Sequence, residues 1–212
     1  MFMKIRILAI MAVLLAGAGF SRASIISNTI AADGDGVITC DVYPLTQTGL
    51  GYSLSIDGIQ HNLGNPWDAG HIQGNIITDT ETDPTLALFN EINNDTGIAW
   101  GDYHVMVTMS KPFTFSNVGV GIGNPGWTFN TTAPTPSGTN WIGYIDYAGY
   151  GNPVLALGTL DFNYSMTFTG GASFQEALTP SPVPEPGTFA LMVCGLTGLL
   201  VMRRRSAMKS AG

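Results

Sequence analysis

Of the 212 residues, the 157 from Ser24 to Pro180 are free to build a fold, enough for one domain with a real core and too few for two ordinary ones. Seven of the eight Lys and Arg lie near the two ends, which leaves Lys111 alone in the middle against 14 of the 15 acidic residues, a local charge of −13. That balance excludes nucleic acid, whose phosphates need a basic footprint, and electrostatic attachment to anionic membrane surfaces.

The first 23 residues have the three parts of a secretory signal. Lys4 and Arg6 supply the positive start, residues 7–20 form an apolar run of 14, and Ser21-Arg22-Ala23 puts small residues where a signal peptidase needs them. Cleavage is expected between Ala23 and Ser24.

Residues 24–178 read as strands. Between Ser24 and Pro180 there are 20 Thr, 13 Asn and 21 Gly but only eight Lys, Arg, Glu and Gln combined, so the wet faces of helices are poorly supplied. β-branched and aromatic residues at alternate positions are plentiful. Asp33-Gly34-Asp35-Gly36 resembles the middle of a calcium loop, but the carboxylates required at loop positions 1 and 12 are Ala31 and Val42, so it reads as an acidic turn. A strand over 36–43 follows. Asp57-Gly58, between alternating runs at 52–56 and 59–63, predicts a two-residue type I′ hairpin that pairs Leu54 with His61. His61 is then half-buried and structural, and His71, in the strand 71–78, stands alone. Asp79, Glu81 and Asp83 put three carboxylates in five residues, either a solvated loop or a site for a hard cation such as calcium.

Further strands are predicted over 86–92, 98–109, 113–120, 141–147, 154–162 and 164–169, separated by turns at 94–97, 123–126, 135–138 and 151–153. In the strand 98–109, alternation puts Tyr103, Val105 and Val107 on one face and Trp100, Asp102 and His104 on the other, an Asp–His pair without an assignable third ligand or nucleophile. Trp67 and Trp127, beside Gly-Pro turns, are the aromatics expected to stay partly exposed, where they would stack on sugar rings. Cys40 has no disulfide partner within the domain, so stability must come from apolar burial. The pattern predicts an all-β domain: a single antiparallel β-sandwich, the jelly roll among its forms, rather than a barrel.

Residues 179–187 contain Pro180, Pro182, Pro184 and Pro186 and are expected to form an extended spacer outside the fold. Residues 188–202 carry no charge and, as a helix, would rise about 22 Å, short of the ~30 Å bilayer core by an amount that flanking residues or local thinning supply. Arg203, Arg204 and Arg205 then place the basic tail 203–212 on the cytoplasmic side and the domain outside. Val183, Pro184, Glu185, Pro186 and Gly187, an apolar helix and the Arg cluster together resemble the PEP-CTERM sorting signal of exported bacterial proteins. The stretch 93–104 also resembles part of such ectodomains. The resemblance implies processing near Pro184–Gly187 by an exosortase, a membrane-embedded transpeptidase, and release or attachment at the cell surface, often beside extracellular polysaccharide. The continuation 206–212 is longer than such tails usually show.

No nucleophile elbow, zinc-protease, P-loop or dinucleotide motif occurs in the chain, and no residue is assigned a catalytic role. The sequence therefore points to a non-enzymatic, exported surface or matrix protein. The alternative is a calcium-assisted module that binds extracellular polysaccharide. A glycosidase built on two of the 14 acidic residues is the remaining enzyme reading.

Overall fold

Most of the thirteen strands alternate apolar and polar side chains; they lie within residues 23–49, 51–149 and 151–183, which the computed structural model describes. In chain order these are β1 (Ile25–Asn28), β2 (Ala31–Ala32), β3 (Ile38–Val42), β4 (Thr46–Thr48), β5 (Gly51–His61), β6 (Gly70–Thr78) and β7 (Thr85–Asp95). They continue with β8 (Trp100–Met109), β9 (Phe113–Val120), β10 (Thr128–Ser137), β11 (Asn140–Ala148), β12 (Thr159–Phe168) and β13 (Ala172–Pro182). Among the described residues there is no helix, and so none long and apolar enough to cross a membrane. The signal segment before Ala23, the motif residues Pro184, Glu185, Pro186 and Gly187, the apolar run 188–202 and Arg203, Arg204 and Arg205 lie outside the described residues.

Two sheets pack against each other. One runs β1-β6-β13-β8-β11-β10 with β2 beside β6; the other runs β3-β5-β7-β12-β9 with β4 beside β5. The first turns Ile72, Val105, Tyr147 and Leu178 inward, and the second meets them with Leu54, Leu88, Ile92 and Tyr164, all fully buried. Each such side chain contributes about 1.5–3 kcal/mol relative to exposure. Cys40 is unpaired, so burial carries the stability.

The predicted hairpin does not form. β5 runs straight through Asp57-Gly58, with β3 antiparallel on one side and β7 parallel on the other. Its inward set is Leu54, Ile56, Gly58 and Gln60, so Ile59 faces out and His61 pairs with Asp95 on β7 rather than with Leu54. The glycine serves packing instead of a turn: a Cβ at Gly58 would lie 2.8 Å from Ile92 Cδ1. The parallel β5–β7 pair also makes the second sheet mixed, a departure from the antiparallel arrangement expected.

β9 occupies the predicted residues, and the predicted 154–162 and 164–169 become the single strand β12, with Val154 held apart in a bridge to Trp100. β10 escapes sequence reading because almost every residue of it is exposed, which leaves no alternation to detect. Near the start of β8 the register with β13 shifts between Ser181 and Pro182, and this irregularity turns Trp100 into the core, away from the face of Asp102 and His104.

β13 takes Thr179, Pro180, Ser181 and Pro182 from the predicted spacer, moving the domain boundary from 178 to 182. Pairing with β6 ends at Leu178, so from Thr179 onward the strand bonds only β8. Its other side is then an edge, where prolines are tolerated.

Candidate functional site

The outer face of the seven-stranded sheet gathers the polar side chains with most chemical reach. On β8 the outward residues are Asp102, His104, Met106 and Thr108, flanked in register by Asp146 on β11 and Thr179 on β13. His104 Nδ1 lies 2.7 Å from Asp146 Oδ1, and its Nε2 lies 3.0 Å from Ser181 Oγ. Sequence reasoning found the histidine but neither partner, because Asp146 and Ser181 meet it only through strand register. A hydroxyl, an imidazole and a carboxylate in this order are the elements of an activated serine. Ser181, however, stands between Pro180 and Pro182, which have no N–H to stabilise a developing oxyanion. With His104 and Asp146 both nearly half exposed, the trio reads as a cross-strand hydrogen-bond ladder.

Further along the same face, Gln73, Gln175 and Thr108 stand side by side on β6, β13 and β8. They line a trough of about 530 Å³ with Asn75 and Ser173. A second trough of about 590 Å³ also contains Asn75 and Ser173 and continues to Asp79 and Glu81. Amides and hydroxyls without a cation are groups that bond neutral, hydroxyl-rich ligands.

His71 does not stand alone. Its Nδ1 lies 3.4 Å from Asp33 Oδ2 and 4.0 Å from Asp35 Oδ2, and ligand atoms of the three residues fall within 4.8 Å of one another. The other oxygen of each aspartate accepts a backbone N–H two residues on, from Asp35 and Val37, so the loop reads as an acidic turn capped by an imidazole.

Asp79, Glu81 and Asp83 are not brought together as a cation site. Asp79 Oδ1 accepts the Ser24 N–H at 2.7 Å, Glu81 faces Lys111 Nζ at 3.9 Å, and Asp83 accepts the Thr169 hydroxyl at 2.9 Å. Trp127 is buried rather than partly exposed. Its Nε1 donates to Asn152 O at 2.7 Å and its ring lies against Gly149, so it has no face to offer a sugar. Trp67 packs partly buried on the core edge and keeps some exposure. Ala23 is buried, next to the expected cleavage point at Ser24.

The second sheet carries a feature that sequence spacing could not reveal. Asp41, Asp57, Glu91 and Asp161 are direct neighbours across β3, β5, β7 and β12, four carboxylates in one row of the outer face. Tyr43 OH donates to Asp57 at 2.8 Å, and partial desolvation, followed by the charges of Asp161 and Asp57, raises the pKa of Glu91.

The class these observations define is a two-sheet all-β domain with a polar outer face. The chain matches no protein-family model, no curated protein and no solved structure.

Proposed function

We propose that the chain is an exported bacterial protein, sorted through its C-terminal PEP-CTERM-like signal by an exosortase and acting at the cell surface or in the matrix without catalysis. In this reading Met1–Ala23 is a cleaved signal peptide and 188–202 a membrane-spanning helix, so both flank the sandwich. The observation that carries it is the ordered succession of Val183-Pro184-Glu185-Pro186-Gly187, an uncharged run and Arg203-Arg204-Arg205. Two structural details support it. The last described strand stops at Pro182, immediately before Val183, the first residue of the motif. At the other end the Ser24 N–H rests on Asp79, so cleavage after Ala23 would set a new ammonium group beside that carboxylate. The test is the intact mass of the extracellular form: a chain that starts at Ser24 and ends within 184–187 is expected. A full-length polypeptide recovered soluble from the cytosol would falsify the reading.

A second reading is a module for neutral polysaccharide, favoured by the uncharged amide and hydroxyl row of Gln73, Gln175 and Thr108 in its trough. Among the described residues the carboxylates that converge are those of Asp33 and Asp35, beside His71, and calcium assisting the module would be held by their oxygens. Binding on a glycan array that is lost in Gln73→Ala and Gln175→Ala would support the module; an inert array from correctly localised protein would leave the structural role.

A further inference from the structure

We infer that the end of the sandwich from which β13 leaves is a membrane-contact surface, which seats Leu63, Ile98, Ile122, Leu155 and Leu157 against the lipid bilayer beside the chain's own anchor. The inference rests on the proposed reading of 188–202 as a membrane-spanning segment.

Strand directions define this end. Pro182 at the end of β13 lies opposite Trp100 at the start of β8, and Ala148 at the end of β11 lies opposite Asp102. Thr128 at the start of β10 pairs with Ala148, Thr159 at the start of β12 pairs with Asn93, and His61 at the end of β5 pairs with Asp95. The loops 62–69, 96–99, 121–127 and 149–158 therefore all cap the end through which the chain exits. Their described residues present large apolar side chains to water: Ile122 is fully exposed, Leu157 83 %, Leu155 63 % and Leu63 60 %. At the opposite end the exposed large apolar residues among those described are Ile26 and Ile77, which lie on the paired strands β1 and β6 rather than on loop tips, and Tyr43, whose hydroxyl is bonded to Asp57.

These loops are held rigid. Asn94, fully buried, donates its side-chain amide to the carbonyls of Ile98, Val154 and Leu155 at 2.8–3.2 Å, while its own carbonyl accepts the Leu157 N–H at 2.7 Å. Asn124 donates to Thr159 O and accepts from Asp161 N, both at 2.8 Å, and so fixes the loop that carries Ile122. Asn62 ties the loop of Leu63 to Thr96 O at 3.2 Å. Leu157 is held at φ 63°, a left-handed backbone unfavourable to a residue with a β-carbon, and yet its side chain is buried in nothing. A rigid framework that aims bulky apolar groups outward marks an interaction surface.

Chain length selects the occupant. Four residues, Pro184 to Gly187, separate Val183 from the uncharged run, a tether of about 12–14 Å even when extended. The interfacial layer on each side of a ~30 Å hydrocarbon core is about 5–8 Å thick. An inserted run therefore holds the apolar loop tips within reach of that layer. No Lys or Arg lies among the described residues of this end, and Asp68 and Asp95 give it negative charge, so attraction to anionic headgroups is absent and seating on a neutral bilayer is driven by the apolar loop tips.

The test uses the full chain in phosphatidylcholine liposomes, with Cys40→Ala and Cys194→Ala as background. A polarity-sensitive fluorophore is placed through Leu157→Cys, Ile122→Cys or, at the far end, Thr80→Cys, and protease protection of the tail reports anchor insertion. A blue shift and quenching by lipid-borne quenchers at 157 and 122 but not at 80, unchanged at high salt, is the expected result. A protected tail with all three labels equally wet would overturn the inference and leave the anchor standing. An unprotected tail removes the anchor and this inference with it. Burial of the labels without lipid quenching would assign the surface to a second copy of the chain instead. The double variant Leu155→Ser, Leu157→Asn keeps the backbone bonds to Asn94; it should melt like the parent and weaken lipid quenching at Ile122→Cys.

Discussion

Glu176 is the one acidic side chain among the described residues that the fold takes fully inside. Its Oε1 accepts from Tyr164 OH at 3.0 Å and from Asn90 Nδ2 at 3.4 Å, while its Oε2 and Asn90 Oδ1 have no partner. Burial raises its pKa to about 7, and the Tyr164 hydrogen bond offsets only part of that effect. The folded state thus holds a proton that the unfolded chain, with an ordinary carboxyl near 4.5, releases earlier. The stabilisation is fully present below that lower value and is lost as pH rises through about 7, a change of roughly 3 kcal/mol. Glu176→Gln supplies a permanent neutral donor in the same shape. We expect it to raise Tm at pH 8, to leave Tm nearly unchanged at pH 4, and to flatten the dependence between; equal melting of both proteins across that range would refute this account. None of this was readable from sequence. Glu176 lies on β13, which was not predicted, and an isolated Glu beside Gln175 and Ala177 carries no sign of direction.

Strands were legible as elements where one face is wet and the other dry. β6, β7, β8 and β11 each show that alternation and lie within a few residues of their predicted bounds. What periodicity cannot supply is which strand lies beside which. Asp57-Gly58 is chemically a good turn, but the parallel partner β7 and the inward Ile92 methyl group gave the glycine another use. The same blindness to register hid the histidine ladder on one sheet and the acidic row on the other. Like charges directly opposite one another cost a few tenths of a kcal/mol to about 1 kcal/mol per pair. Glu91 has Asp57 on one side and Asp161 on the other, so Glu91→Gln should stabilise the protein by that order at low ionic strength. Urea unfolding at two salt concentrations checks it: the gain should shrink as salt screens the row, and a gain independent of salt would mean that packing, not repulsion, is responsible.

At the scale of the whole molecule, the last strand in sequence is central in space. β13 lies between β6 and β8 and adds Ala172, Phe174 and Leu178 to the core, whereas the first strand, β1, sits at a sheet edge. Removal of residues 172–183 should therefore abolish cooperative thermal unfolding and disperse neither sheet alone, as circular dichroism and amide dispersion would register. A truncated chain that still melts sharply would show that the two flanking strands close without it. The all-β class followed from composition, because few residues suited to wet helix faces were available. The placement of β13 did not follow, since its prolines argued for a spacer and only the end of pairing with β6 makes them tolerable.

That placement also determines how the domain bears a mechanical load. A pull on Val183 acts along β13 and is resisted in shear, because the ladders to β6 and β8 must slip together rather than open bond by bond. A pull from the amino-terminal side meets β1, a four-residue strand paired with β6 alone, so fewer ladder bonds resist it. The protein is thus strongest along the direction in which a tether at its carboxyl-terminal side would stretch it.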